Sequence, residues 1–360
     1  MAGSLKMFDM SKPFGIGPRF PEEHSDIMTM NGARPSSSLG SHPPQTVRPC
    51  TSCRALTMPR NQRKQGGKKK PDDTMSFEKD PQKWFRPEDH MPELRAYMQT
   101  WTAAPYLDCL DVFGASQSMK KVFTKRGFKC ESFDVVLGGV THDITTHLGF
   151  LVLLGLGLSL LPGALLALSP PCSLYIFLSS SVHGRSKLLP YGNVSNWKVQ
   201  LSNRIVLSLV IFLTLLKEFR LFSAVLEQPK GSMMFYYPEL LAFARRFHWR
   251  QILTYMGLFG HPLEKGSWIW SDLPGIHSIA RKMDKKMRAK LRAKRARLNK
   301  TYYVVDKEKK TVQGTKELQS TAKWTFKFCS ALFDLWQTSK MNRQVENIDI
   351  HSSDSEGDDA

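Results

Sequence analysis

The sequence contains little cysteine, six residues in 360. Its first residues, MAGSLKMFDM, also lack the apolar stretch of a secretory signal peptide. These two absences predict a reducing intracellular compartment and a chain without disulfides. Cys50 and Cys53 have the spacing of a zinc-ligand pair, but the sequence has no second pair of that spacing. Isolated thiols are therefore the favoured interpretation, and we expect no metal.

Acidic residues are outnumbered, 32 against 51 Lys and Arg, which gives a formal net charge of +19. Much of the excess lies between Arg281 and Lys300, where eleven basic residues stand against one Asp. Residues in this segment favour helix but show no continuous apolar face. Such a helix binds nucleic-acid phosphates by counterion release, or serves as a nuclear import signal; a merely solvated helix is the alternative. We expect a nucleic-acid partner and a nuclear location, with these candidate contacts: Arg288, Arg292, Lys294 and Arg295.

Apolar residues are scarce at both ends of the chain. Residues 1–75 are rich in Pro, Ser, Gly and charge, which predicts a disordered basic arm. Residues 341–360 end in SSDSEGDDA and are expected to form an acidic, disordered tail. The folded domain is therefore expected at 76–280, followed by the basic segment at 281–300 and a C-terminal extension at 301–340.

One long run has no charge at all: Leu148 to Leu168, 21 residues. Its length suffices for a bilayer span, and a second apolar block follows at Ile205 to Leu216. However, Pro162 and Gly163 divide the first run into a helix and a short strand. The second block has only twelve residues. A buried α/β core without membrane insertion is therefore favoured, and a two-span membrane protein is the alternative.

The middle of the chain alternates between strands and helices. A strand at Leu107–Val112 meets a turn at Phe113 and Gly114, then a helix from about Ser116 to Arg126 and a second strand from Cys130. This is a βαβ pattern, which implies a parallel sheet. Asp134 lies twenty residues after Gly114, close to the distance at which nucleotide-binding folds place an acid for ribose hydroxyls.

The alternation continues to residue 227. Asp143 is expected to end a third strand, and the further elements predicted are a helix at 148–158, a strand at 164–168, a helix at 197–219 and a strand at 222–227. Cys172 follows the strand at 164–168, and Glu227 ends the last strand. Adjacent parallel strands bring their carboxyl ends to one edge, so we expect the thiol and the carboxyl there, with Gly114 and Asp134.

The succession DVFGASQS, SFDV, HDI, SPPCS and VLEQP resembles the ordered motifs of class I S-adenosylmethionine-dependent methyltransferases, specifically the cytosine-carbon-5 DNA methyltransferases. The resemblance covers about residues 105–275. It implies a Rossmann-like α/β fold with a mostly parallel sheet and helices on both faces, S-adenosylmethionine as cofactor and a nucleic-acid base as substrate. It also implies Cys172 as nucleophile, Glu227 as the acid that contacts the base, and these cofactor-binding residues: Phe113, Gly114, Asp134, Asp143 and Pro171.

Two motifs depart from the family pattern. Ser116 stands where the cofactor loop has a second glycine, and Gln228 and Pro229 follow the glutamate in place of Asn-Val. The alternative function is therefore a nucleic-acid-binding protein that keeps the fold without turnover. Further candidate nucleic-acid contacts are Arg185 and Lys187, in the loop after the Pro-Cys motif, and Arg245 and Arg246, in an aromatic-rich segment.

Overall fold

The computed structural model describes residues 79–297, 301–306, 311–319 and 322–353. The predicted basic arm, with Cys50 and Cys53, lies outside these residues, as does the end of the predicted acidic tail.

A six-stranded mixed sheet forms the centre of the fold. Its strands are β1 (Leu107–Val112), β2 (Cys130–Phe133), β3 (Leu160–Leu168), β4 (Phe222–Pro229), β5 (Arg250–Tyr255) and β6 (Gly266–Ser271). The strand order is β2-β1-β3-β4-β6-β5. The first four neighbours pair in parallel, whereas β6 runs antiparallel to both β4 and β5. Five strands thus share one direction, which confirms the predicted Rossmann-like α/β fold with a mostly parallel sheet. A separate antiparallel pair follows, β7 (Tyr303–Asp306) and β8 (Thr311–Gly314).

Helices cover both faces of the sheet, as the sequence predicts. They are α1 (Met91–Gln99), α2 (Ser118–Lys125), α3 (Val135–Gly138), α4 (His147–Leu158), α5 (Ser180–His183), α6 (Trp197–Phe219), α7 (Pro238–Arg246), α8 (Lys285–Arg297), α9 (Lys316–Gln319) and α10 (Phe326–Ser353). Apolar side chains of α1, α4, α6 and α7 bury one face of the sheet. Side chains of α2 and α10 bury the other.

Helix α6 is long and apolar enough to cross a membrane by length and composition. The side chains of Thr146 and Asn196 cap the amino ends of α4 and α6. Each accepts a hydrogen bond from a backbone N–H in the first turn of its helix. In the structure α6 packs on the sheet through Leu209, Phe212 and Leu216, all fully buried. The run from Leu148 is likewise divided between α4 and β3. These segments build the core of an α/β domain here.

Helix α10 forms much of the second face, although its residues were predicted as a separate extension and a disordered tail. Trp336 is fully buried against Phe123 and Phe333, and its indole N–H donates to the Gly163 carbonyl at 2.8 Å. The α/β unit therefore continues past residue 280. The helix reaches Ser353, well into the segment predicted to be a disordered tail.

The third strand predicted to end at Asp143 is not formed. Residues 135–142 instead make α3 and a short 3-10 turn, Gly139–His142. Asp134 starts α3 by accepting the Val136 N–H at 2.8 Å, and Gly139 reverses the chain with φ +60°. A short local cap and a glycine turn thus replace an extended segment here, and β2 is one of the two edge strands of the sheet.

Candidate active site at the carboxyl edge of the sheet

The carboxyl ends of β1, β2, β3 and β4 meet along one side of the sheet, which we call the carboxyl edge. Gly114 follows β1, Asp134 follows β2, Cys172 lies four residues after β3, and Glu227 lies near the end of β4. Ligands of open α/β sheets bind at this edge. The predicted catalytic pair and the first two cofactor motifs thus share the expected place in the fold.

The turn after β1 is tight and leaves no space for a side chain at Gly114. A Cβ there would lie 2.2 Å from the carboxyl group of Asp111, far inside van der Waals contact. Phe113 adopts a left-handed backbone with φ +64°, and its N–H donates to the Phe133 carbonyl at 2.7 Å. Ser116 stands where the family pattern has a second glycine. Its hydroxyl lies 2.9 Å from that of Ser118 at the start of α2.

Asp134 fastens the β1 turn to the end of β2. One carboxyl oxygen accepts the Ala115 N–H at 3.2 Å and the other the Val136 N–H at 2.8 Å. Burial raises the pKa of Asp134, while those two backbone hydrogen bonds oppose the change. The carboxyl is thus held in a fixed orientation beside the turn, where the sequence predicts a ribose-binding acid.

Sequence reasoning missed a second acid beneath the turn, Asp111. Its side chain is buried, and burial together with the charge of Asp134 raises its pKa to about 7. The nearby Ser132 hydroxyl opposes the change. The available signal was an acid inside an otherwise apolar strand, LDCLDV, because such a group is costly to bury and is often functional.

Asp143 lies beyond the short helices that replace the third strand. One of its oxygens accepts both the N–H of Thr145, at 2.9 Å, and the hydroxyl of Thr145, at 2.7 Å. Asp143 therefore shapes the turn that leads into α4. Its role as a cofactor-binding residue stays a prediction.

The Pro-Cys loop is tied to both of its neighbours on the carboxyl edge. Ser169 donates to the Phe113 carbonyl at 3.1 Å, and the Gln228 amide donates to the Pro170 carbonyl at 2.6 Å. Pro171 is exposed, and Cys172 is half-buried behind it. Burial and the charge of Glu227 raise the pKa of the Cys172 thiol, whereas the nearby ammonium group of Lys265 opposes them.

Glu227 is buried, and three groups surround its carboxyl. Ser267 donates to one oxygen at 2.5 Å, and Lys265 forms an ion pair with the same oxygen at 3.6 Å. The Trp324 indole N–H, from the segment just before α10, donates to the other oxygen at 3.2 Å. Strands β3 and β4 pair directly, so the strand ends that carry Cys172 and Glu227 are adjacent on the carboxyl edge. Lys265 and Trp324 were not predicted, because neither belongs to a local motif.

The structure argues against a nucleic-acid contact by Arg185. Its guanidinium is buried, stacks on Tyr175 at 4.0 Å and donates all five N–H groups to protein atoms. The acceptors are the carbonyls of Leu174, Pro190 and Val199, the amide oxygen of Asn203 and the hydroxyl of Ser202. Arg185 thus stiffens the loop after Cys172. Lys187 is exposed beside it, 5.3 Å from the Tyr236 ring, and stays a candidate contact.

Arg245 and Arg246 lie on the opposite edge of the sheet. They end α7, just before the amino end of β5, whereas Cys172 and Glu227 occupy the carboxyl ends of the strands. Both side chains are exposed, but their position argues against direct contact with a base at Cys172. A cavity of about 410 Å³ on that opposite edge is lined by Phe247, His248, Arg250, Asp272, Leu273, Pro274 and Gly275. Neither predicted catalytic residue lines this cavity. The candidate site is therefore assigned from the chemistry of the residues at the carboxyl edge.

The basic helix α8 docks beside the carboxyl edge. Leu291 lies over Gly257, in the turn that follows β5, and Arg288 forms an ion pair with Glu264 at 2.8 Å. Arg292, Lys294 and Arg295 are exposed. The predicted nucleic-acid contacts of α8 thus form a positive surface next to the turn that contains Lys265.

Among the residues that the structure describes, there is no cluster of three or more side chains suited to a metal ion. The four cysteines in these ranges, Cys109, Cys130, Cys172 and Cys329, are free thiols.

No family model matches the sequence, and no curated protein matches it. Among solved structures, the crystal structure of S. pombe Dnmt2 methyltransferase is similar, with 12% sequence identity and a TM-score of 0.25. The match covers 45% of this chain and 48% of that one, so the chain matches about half the length of its neighbour. A likeness of this extent says nothing about activity. The function is therefore argued from the residues at the carboxyl edge.

Proposed function

We propose that the protein transfers a methyl group from S-adenosylmethionine to a nucleic-acid base, at carbon 5 of cytosine, with Cys172 as the nucleophile. One observation carries the proposal: four of the five predicted motifs converge on one edge of a Rossmann-like sheet and are joined by hydrogen bonds. Ser169 links the Pro-Cys loop to the glycine turn, and Gln228 links the same loop to the end of β4.

The residues around the β1 turn fit the cofactor. The absence of a Cβ at Gly114 makes room for the Asp111 carboxyl beneath the turn, and the carboxyl oxygens of Asp134 have lone pairs left to accept ribose hydroxyls. Val136 and Val140, exposed just after Asp134, offer apolar surface to an adenine ring. When bound, the cofactor would supply an electrophilic methyl group.

The chemistry assigned to Cys172 and Glu227 follows from the substrate. Carbon 5 of cytosine is a poor nucleophile, but addition of a thiolate at carbon 6 removes the aromaticity and makes carbon 5 electron-rich. Carbon 5 would then accept the methyl group and lose its proton to a base, and the thiolate would leave carbon 6, which restores the aromatic ring. Cysteine suits this step because its thiolate is strongly nucleophilic. Glu227, in its protonated form, would donate a hydrogen bond to the ring nitrogen and offset the negative charge that develops there during addition. The base must be extruded from a duplex or presented in a single strand.

Charge supports nucleic acid as the substrate. The exposed cations of α8 adjoin the carboxyl edge, where they would hold phosphates while a base reaches Cys172. The same cluster suits a nuclear import signal, so we propose that the protein acts in the nucleus.

The second candidate function is nucleic-acid binding without catalysis. Two observations favour it: the pKa of Cys172 is raised, so the thiol is mainly protonated at neutral pH, and Ser116 replaces a cofactor-loop glycine. This protein would bind nucleic acid through α8 but would not bind S-adenosylmethionine. Titration with the cofactor separates the two candidates.

Transfer of radiolabelled methyl groups to mixed DNA and RNA tests the proposal. The parent protein should incorporate label, Cys172→Ala and Glu227→Ala should lose it, and nuclease digestion should identify the base. Ser173→Ala, which alters the exposed neighbour of the thiol, is the matched control and should retain activity. Equal incorporation by the parent and Cys172→Ala would refute the thiol mechanism.

A further inference from the structure

Lys265 stands out among the residues near Cys172 that belong to no predicted motif. It lies at the end of the turn between β5 and β6, directly before Gly266. Its ammonium group is 3.6 Å from the Glu227 carboxyl, and only 17% of its side chain is exposed. A lysine side chain is seldom this enclosed unless it is paired, so its position at the candidate site requires an explanation.

The backbone holds Lys265 in an unusual conformation. Its φ is +34°, in the left-handed region that side-chain-bearing residues seldom adopt. The Lys265 carbonyl accepts the Met256 N–H at 3.0 Å, and the Glu264 carbonyl accepts the Gly257 N–H at 3.1 Å. The turn is thus closed by two backbone hydrogen bonds. Residues held in sparsely populated conformations cluster at functional sites.

The charge of Lys265 acts on Cys172 as well as on Glu227. Burial raises the pKa of the Cys172 thiol, and so does the carboxylate of Glu227 on β4. Lys265, on the β5–β6 turn, lowers that pKa. A nearby opposite charge favours the ionised form of a group. Glu227 and Lys265 are the charged groups that act on the Cys172 sulfur. Removal of Lys265 therefore leaves the effect of the Glu227 carboxylate on the thiol pKa unopposed.

We propose that Lys265 is a positioning residue of the site, which orients the Glu227 carboxylate by ion pairing and stabilises the Cys172 thiolate. The inference rests on the proposed function for its catalytic meaning, but its electrostatic content is independent of turnover. The β5–β6 turn thus supplies positive charge at the carboxyl edge.

Alkylation of Cys172 by iodoacetamide, followed against pH by mass spectrometry of the Cys172 peptide, tests the inference without cofactor or nucleic acid. Lys265→Met should slow alkylation about three- to tenfold between pH 7 and 8, because the thiolate fraction falls tenfold for each unit that the pKa rises. Lys265→Arg should restore most of the rate. Lys230→Met, at an exposed lysine just after β4, is the matched control and should leave the rate unchanged.

Two further measurements keep the inference testable. Circular dichroism melting shows whether Lys265→Met is folded; if it is not, Lys265→Gln, which keeps a donor for Glu227, takes its place. Glu227→Gln should change the rate in the opposite sense and speed alkylation, because its negative charge raises the thiol pKa.

An unchanged rate and pH profile in a folded Lys265 variant would overturn the inference. The outcome is separable from that of the proposed function. A protein that fails to transfer methyl groups but shows the predicted alkylation pattern would retain the role of Lys265 and lose the assigned reaction.

Discussion

At the scale of single residues, the β1 turn depends on a close approach between Gly114 and Asp111. The carboxyl group of Asp111 occupies the space in which a Cβ of residue 114 would lie. Asp134 then holds the other side of the turn through the Ala115 N–H. A ligand that binds here thus meets backbone atoms whose positions are fixed by two acids.

We predict that Gly114→Ala disrupts this turn. The added methyl group must displace the buried Asp111, so the free energy of unfolding should fall by about 1–3 kcal/mol, as for other overpacked sites. Binding of S-adenosylmethionine, measured by titration calorimetry, should weaken at least about tenfold, a cost of about 1.4 kcal/mol. Gly231→Ala is the control, since a Cβ there meets nothing within 4 Å, and it should change neither quantity. Normal cofactor affinity in Gly114→Ala would contradict the assigned site.

Asp111 gives a second prediction, on the pH dependence of stability. Its folded pKa of about 7 lies above the ordinary value of 3.8, so the folded state keeps a proton that the unfolded state releases. The resulting stability is present below about pH 4 and is lost as the pH rises to about 7, with a slope of at most about 1.4 kcal/mol per pH unit. The free energy of unfolding of Asp111→Asn should not show this fall with rising pH. Urea unfolding of both proteins from pH 4 to 8 measures the difference, and parallel profiles would refute it.

Short motifs revealed some of these residues from the sequence, whereas others depended on tertiary contacts. Cys172 and Glu227 were predicted because each follows a recognisable apolar strand. Lys265 and Trp324 approach the Glu227 carboxyl from distant parts of the chain, which no local pattern shows. Arg185 looked like a surface cation for the same reason: two of its five acceptors lie in loop segments and three on α6, and only the fold brings these parts together.

At the scale of elements, α10 is the largest addition to the predicted domain. Its side chains complete the core on the face of the sheet that α2 covers. The segment that precedes it contributes Trp324 to the candidate site. The C-terminal segment thus takes part in both the stability and the geometry of the domain.

We therefore predict a large destabilisation from Trp336→Ala. Trp336 is fully buried, and its replacement removes contacts with an aromatic cluster and one hydrogen bond. The free energy of unfolding should therefore fall by about 3–5 kcal/mol. Phe326→Ala, in the same helix at a side chain that is 50% exposed, should cost much less. Chemical denaturation of both variants makes the comparison. Similar costs would show that α10 does not pack as described.

Helix α8 gives a prediction about nucleic-acid binding. Replacing Arg292, Lys294 and Arg295 with Gln keeps residues that favour helix but removes three exposed charges. Affinity for an oligonucleotide, measured by fluorescence anisotropy, should fall, and the salt dependence should lessen by about 0.7–0.9 per lost phosphate contact. The double variant Arg245→Gln and Arg246→Gln, on the opposite edge of the sheet, is the control. A larger loss in the control than in the α8 variant would place the binding surface elsewhere.

The order of elements was well predicted where the apolar pattern was strong. Strand β1 and helix α6 have the predicted bounds, since turn residues or a cap flank each of them. The absent third strand was not foreseen, because the cap at Asp134 and the turn at Gly139 compete with an extended conformation only in the folded context. The reversed direction of β6 also lay beyond prediction, as strand direction depends on pairing partners.

At the scale of the whole domain, the two edges of the sheet differ in their chemistry. The carboxyl edge holds the two cofactor motifs, the thiol, the buried carboxylate and Lys265, with the cations of α8 alongside. The opposite edge holds the ends of α7 and a cavity without these groups. This asymmetry is the reason for assigning binding and chemistry to one side of the domain.

The most direct test of this account is a covalent trap. Fluorine at carbon 5 of cytosine cannot leave as a proton does, so an adduct formed at carbon 6 should persist. DNA and RNA oligonucleotides with 5-fluorocytosine are incubated with the protein and S-adenosylmethionine, and denaturing gels and peptide mass spectrometry locate the adduct. The account predicts a stable adduct on Cys172 that is absent in Cys172→Ala. Binding of the oligonucleotide and the cofactor without any adduct would contradict it.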